Sequence, residues 1–227
     1  MSDLGVLEFS GPDAVRFLNG QVTQDVRQAI ASDTLLPSCV TDAKGKLQFR
    51  IWIGKGKADG SVWVYCFKEM LEDLEARLTR YLIADDVEVK NVSHEVSIAE
   101  AEIPNAGMKE RERIEQGIPR WGAEITEGML PPEAGLDRTD ISYNKGCYIG
   151  QEVISRIKSA GKLNRRLVKL SFEGEGKLGN FSNAEGKACG EVTSVEGEIG
   201  LGYLKRSAEA ETEFWIEGIK CWVRGDQ

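Results

Sequence analysis

The sequence predicts an α+β fold, with mixed or antiparallel sheets and packing helices, followed by a small C-terminal antiparallel β-barrel. Three observations carry this. Leu47, Phe49, Ile51 and Ile53 alternate with Lys46, Gln48 and Arg50, the period of a half-buried strand. From Lys68 to Ile83 the apolar residues Met70, Leu71, Leu74, Leu78, Tyr81 and Leu82 recur at helical spacing. After Gly161 the chain becomes a series of short apolar runs broken by glycine turns, the pattern of a small barrel. Strands, one helix and further strands then make a sheet with a helix on one face.

In order, Val6–Phe9 reads as a strand, followed by Ser10 as N-cap and Pro12 in the first turn of a helix. Ala14, Val15, Phe17 and Leu18 form its apolar face, and Asn19-Gly20 ends it. Gln21 to Val26 is polar, a second short helix or a turn. Leu35–Val40 and Lys46–Ile53 read as strands joined by the hairpin turn Thr41–Gly45, and Ser61–Phe67 is the next strand. The loop 54–60 has glycines but no phosphate-binding lysine pattern. Val87–Val92 and Val96–Ala101 are further strands, and 108–117 is a short charged helix stopped at Gly117. Gly117–Gly122 and Met129–Leu136 run extended; Trp121 and Pro131 there either line a pocket or pin the chain to the core. The barrel strands fall at 167–172, 188–194, 199–204, 213–216 and 219–224. The domain boundary lies near Asn164, giving domains 1–163 and 164–227.

The chemistry concentrates in Lys145-Gly146-Cys147-Tyr148-Ile149-Gly150-Gln151-Glu152, after which Val153, Ile154 and Ile157 begin a helix near Tyr148 or Ile149. A thiol at a helix N-terminus, with Lys145 two residues away, has the surroundings that favour a thiolate. A lone cysteine is equally a small core hydrophobe. The five cysteines are odd in number and scattered, with no C-x-x-C or C-x-x-H pair, so no metal ligand set is signalled and reduced thiols fit best. His94, the one histidine, sits in a turn.

A net charge of −8, with 41% hydrophobic and 29% charged residues, describes an ordinary soluble protein without general nucleic-acid affinity. Apolar runs are too short for a membrane span and the first residues lack a signal segment, which predicts a cytoplasmic location. Residues 154–166 hold Arg156, Lys158, Lys162, Arg165 and Arg166 and no acid. They form either a small-anion site or the solvated C-terminal end of a helix.

Residue for residue, 145–152 resembles the K-G-C-[FY]-x-G-Q-E signature of the YgfZ-type folate-binding proteins, relatives of the glycine-cleavage aminomethyltransferase. Phe17-Leu18-Asn19-Gly20-Gln21-Val22-Thr23-Gln24-Asp25 is similar to that family's opening motif, and the Asp42–Lys46 hairpin and the approach to the signature also match. The resemblance implies the aminomethyltransferase folate-binding fold, tetrahydrofolate as ligand, and a role supporting iron–sulfur enzymes, tRNA-modifying ones included. Cys147 would then be the reactive thiol, with Lys145 and the helix terminus lowering its pKa. Gly146, Tyr148, Gly150, Gln151, Glu152, Trp121 and Asp42 would border the ligand, and Arg156, Lys162 and Arg165 would contact its anionic part. The alternatives are a tetrahydrofolate-dependent aminomethyl or one-carbon transferase and a non-catalytic interaction module. Two features depart from the family. Gln48 and Phe49 stand where the aminomethyltransferase hairpin carries D-D, which supplies a folate-engaging aspartate, and the middle region is short.

Overall fold

The computed structural model describes residues 4–96, 104–105 and 107–225. The chain divides into two units, the first made of 1–107 and 137–155, the second of 108–136 and 156–227. The segment 108–136, which the sequence reading counts with the N-terminal domain, is thus grouped with the barrel.

The first unit is an antiparallel sheet of β1 (Leu4–Ser10), β2 (Leu36–Thr41), β3 (Leu47–Lys55), β4 (Val62–Phe67) and β5 (Glu88–Asn91), in the order β2-β3-β4-β1-β5. Helices α1 (Ala14–Gln21), α2 (Val26–Ala31) and α3 (Leu71–Thr79) accompany it. Period-two alternation sorts the strands' side chains. Leu7, Phe9, Phe49, Ile51, Ile53, Val62, Val64 and Cys66 join Phe17, Leu18, Val26, Leu74 and Leu78 of the helices in one core. Val6, Trp52, Tyr65, Leu35 and Val92 form a second cluster.

Several boundaries differ from the sequence reading. Gly11 has φ +109, a conformation that interrupts a helix starting at Ser10, so α1 begins at Ala14 and Asp13 is its N-cap. α1 also runs through Asn19-Gly20, as far as Gln21. α3 stops at Thr79, which removes Tyr81 from the core: its ring is 45% exposed and lies over the Arg77 guanidinium at 5.1 Å. The strand expected at Val96–Ala101 lies outside the described residues, apart from Val96 at its start.

The second unit carries α4 (Glu110–Gln116), which Gly117 ends in a left-handed cap, φ +74. Next comes α5 (Gln151–Ala160), whose first residues belong to the other unit. The barrel strands are β6 (Arg165–Phe172), β7 (Gly179–Ser182), β8 (Ala188–Glu196), β9 (Ile199–Lys205), β10 (Phe214–Ile216) and β11 (Ile219–Val223), closed in the order β10-β11-β6-β9-β8-β7. Closure leaves no free edge. Val168, Leu170, Phe172, Phe181, Val192, Phe214, Ile216 and Cys221 fill it. β7 escapes the sequence reading because Phe181 is its single apolar residue. Residues 131–134 form a 3-10 turn with Pro131 buried, rather than an extended run.

Candidate functional site

The site grows from the outer edge of the sheet. β2 is an edge strand, and the exit from α1 covers it: Val22 bridges to Val40, and the Thr23 N–H donates to the Cys39 carbonyl at 2.9 Å. Thr23 is fully buried and its hydroxyl ties three chain segments together. It accepts from the Cys39 N–H at 2.8 Å, lies 3.3 Å from the Ser38 hydroxyl, and donates to the Asp140 carbonyl at 2.6 Å. Asp140 is also fully buried, and its carboxylate receives Arg50 at 2.7 Å (Nε) and 3.3 Å (Nη2). The Thr139 hydroxyl adds a bond of 2.6 Å to Asp140 Oδ1.

This anchorage delivers the 141–152 segment onto the same edge. The Ser142 N–H donates to the Thr23 carbonyl at 3.0 Å and the Ile149 N–H to the Gly20 carbonyl at 3.2 Å. Between them Lys145 reaches back, its Nζ donating to the carbonyls of Asn19, Val22 and Gln24 at 2.7, 2.7 and 2.8 Å. An ammonium has three donors, and three acceptors meet it. Burial lowers the Lys145 pKa from 10.5 to about 7, with Asp25 opposing and Arg27 assisting. The carbonyls act against that shift, because a neutral amine has only two protons to donate.

The third motif closes the arrangement. A bulge between Val40 and Thr41 precedes the hairpin, and the Thr41 hydroxyl donates to the Ile149 carbonyl at 2.6 Å. Gly150, at φ +90, packs so closely that a Cβ there would stand 2.5 Å from the Asp42 carbonyl oxygen and 2.9 Å from Gly45 Cα. Three stretches far apart in sequence, 19–25, 41–46 and 139–151, are therefore bound into one body.

Cys147 is exposed, while Cys39, Cys66, Cys189 and Cys221 are buried. That removes the core-filler reading for Cys147. The expected helix-terminal thiol is corrected, however: α5 starts at Gln151, because the positive φ of Gly150 prevents the helix from extending back to Tyr148. The Lys145 donors all point to carbonyls of Asn19, Val22 and Gln24. Burial raises the thiol of Cys39 well above its ordinary value and that of Cys66 to about 12, so neither is a nucleophile near neutrality.

Tyr148 is 7% exposed, with its ring 5.2 Å from the Lys145 Nζ, and its hydroxyl has no hydrogen-bond partner among the described residues. Burial raises its pKa, keeping the phenol neutral. Asp42 serves its hairpin, Oδ1 accepting from the N–H groups of Lys44 and Lys46 at 2.8 and 2.9 Å. Gly146 and Glu152 are exposed and Gln151 is half-buried at the start of α5. His94 is exposed in a turn. Trp121, Arg156, Lys162 and Arg165 belong to the second unit. There Arg165 is held by Glu133 at 2.9 Å and lies 4.3 Å over the Tyr203 ring, while Arg156 and Lys162 are exposed. Sequence reasoning did not single out Thr23, Arg50, Asp140 or the acceptor carbonyls. Thr23 lay inside the opening motif, whereas main-chain carbonyls leave no trace in residue identity.

Residues 164–225 match the family model "CAF17, C-terminal beta-barrel domain". Two curated relatives align with about half of the chain or less. One is a putative chloroplastic transferase of Arabidopsis thaliana, 36% identical over 49% of this chain. The other is the mitochondrial iron–sulfur cluster assembly factor IBA57 of Mus musculus, 34% identical over 41%. The matches span 27% and 28% of those two proteins, so the chain covers under a third of either. An uncharacterised protein of Haemophilus influenzae is 26% identical over 88% of this chain and 84% of its own length. The crystal structure of the glycine cleavage system aminomethyltransferase T from Bartonella henselae superposes with a TM-score of 0.77, at 14% identity, over 99% of this chain and 83% of that one. The chain has the fold of that aminomethyltransferase, and its C-terminal barrel matches the CAF17 barrel model.

The likeness to the T-protein at 14% identity establishes architecture and nothing of chemistry. The hairpin residues Gln48 and Phe49 are both engaged within the first unit. Gln48 here accepts a 2.6 Å bond from Arg77 Nε, and Phe49 is buried. Among the described residues, no helix is long and apolar enough to cross a membrane, and no three His, Cys, Asp or Glu side chains gather as a metal-binding group.

Proposed function

We propose that this protein supports the assembly or repair of iron–sulfur enzymes, tRNA-modifying ones among them, with Cys147 as its working thiol and a reduced folate as its ligand. One observation carries the reading: the motif-bearing stretches are hydrogen-bonded together in a way that leaves the Cys147 thiol exposed, the other four thiols being buried. The name of the IBA57 relative supports the cluster-assembly role.

Each residue has a definable task. Lys145 and Thr23 hold the 139–149 segment against the α1 exit, so the Cys147 backbone does not have to be ordered when a partner arrives. Tyr148 fits a heteroaromatic ligand in one respect, offering a neutral buried hydroxyl without a partner among the described residues. Bound folate would supply a carrier for a one-carbon unit. Aminomethyl transfer is the weaker reading, because Gln48 is neutral and already engaged by Arg77.

The test is a titration with tetrahydrofolate followed by tryptophan fluorescence, on wild type, Cys147→Ala and Tyr148→Phe. Binding is expected in wild type and Cys147→Ala, and weakened by ~3- to 10-fold in Tyr148→Phe for one lost hydrogen bond. Cys147→Ser should abolish support of a client enzyme's cluster in a reconstitution assay. Full support by Cys147→Ser removes the thiol role, and absence of tetrahydrofolate binding removes the ligand.

A further inference from the structure

We infer that the outer wall of the barrel carries a docking cleft for an arginine side chain presented by a partner protein. The cleft follows from strand alternation. Phe214, Ile216 and Cys221 point into the barrel, so their neighbours Glu213, Lys220 and Trp222 point out. Pairing of Phe214 with Cys221 and of Cys221 with Phe172 brings Glu213, which precedes β10, and Glu173, which follows β6, to either side of β11. The result is a cavity of about 450 Å³ lined by Glu173, Glu211, Thr212, Glu213, Lys220, Trp222 and Val223.

Its chemistry selects a cation with a flat face. Lys220 is held by Glu213 at 2.6 Å, which neutralises one of the three carboxylates. Glu211 accepts from the Asn183 amide at 3.0 Å, a neutral bond that leaves its charge in place. Glu173 and Glu211 are the excess negative charge, and Trp222, a large apolar side chain 40% exposed, forms the wall. A guanidinium stacks on an indole while its edge forks to carboxylates, and a hydrophobic or anionic group gains neither contact. The inference is independent of the role of Cys147, which lies in the other unit.

The experiment titrates N-acetyl-arginine N-methylamide into the full chain and follows the Trp222 indole N–H by ¹⁵N NMR, assigned with Trp222→Phe. The citrulline compound, equal in shape but uncharged, is the control. A saturable shift with arginine that is largely absent with citrulline is expected, weakened ~5- to 10-fold in the conservative double variant Glu173→Gln/Glu211→Gln, for two partly exposed charge contacts. The lysine analogue should bind more weakly than arginine. An equal response to citrulline, an unchanged affinity in the double variant, tighter binding of lysine, or no shift of Trp222 each overturns the proposal.

Discussion

Lys145 and Cys147 are two residues apart in sequence and opposite in circumstance. The thiol faces water, while the amine is buried among main-chain oxygens. Two predictions follow at this scale. Native protein treated with a small alkylating reagent should gain one adduct per chain, at Cys147, and five after denaturation, read by intact mass. Labelling of Cys39 or Cys66 in the folded protein would contradict their burial. For Lys145→Met, three carbonyls lose a charged donor, and the loss should be about 3 kcal/mol in urea unfolding near pH 6.5. The pH dependence has a definite sign. Because the folded pKa is lowered, from 10.5 to about 7, the unfolded chain binds the extra proton between those values, so this residue makes stability rise with pH across that window. The rise should be missing from Lys145→Met. Equal pH slopes in the two proteins would show that the lysine titrates normally when folded.

At the scale of the element, the sequence reading finds the strands other than β7 and fails at the joins. Alternation at 47–53 identifies β3 and its buried face, because a strand's period is written in its own side chains. The edge of β2 is covered by a loop through main-chain bonds, and α5 begins where a glycine torsion allows; neither has a residue pattern of its own. The signature's glycines show the difference. Gly146 and Gly150 look alike in sequence, yet among the described residues a Cβ at Gly146 would meet only Asn19 Nδ2 at 4.0 Å, whereas one at Gly150 would collide with Asp42 O at 2.5 Å and Thr41 Oγ1 at 2.7 Å, at φ +90. Gly150→Ala should therefore cost more than about 2 kcal/mol and loosen the 41–46 hairpin. Gly146→Ala should change stability by less than about 0.5 kcal/mol. Thermal melts of the pair decide it, and equal midpoints would refute the packing described for Gly150.

At the scale of the whole chain, composition and glycine rhythm were enough to expect a barrel, but not to see what fastens 108–136 to it within the second unit. That fastening is polar and buried, the kind of contact hydropathy patterns miss. Glu124, 1% exposed, receives Arg113 at 2.9 Å and the Arg120 N–H at 3.0 Å on one oxygen. Ser194 at 2.6 Å and Thr193 at 2.9 Å reach the other. Its carbonyl accepts the Tyr203 hydroxyl at 2.6 Å. Arg113, also buried, is bound on its other side by Glu110 at 2.7 and 2.9 Å. A carboxylate with four donors is fully satisfied, and removing its charge leaves a buried guanidinium short of a partner. Glu124→Gln keeps the shape but turns an amide NH₂ toward donors, or else removes an acceptor from the two hydroxyls. The expected loss is about 3 kcal/mol, seen as faster hydrogen exchange in β8 and β9, which carry Thr193, Ser194 and Tyr203. Exchange in β1 to β4, in the other unit, should be unchanged. Wild-type protection of β8 and β9 in the variant would mean that the barrel holds without this pin, and that 108–136 is fastened by the apolar contacts of Ile114 with Ile199 and Leu201 instead.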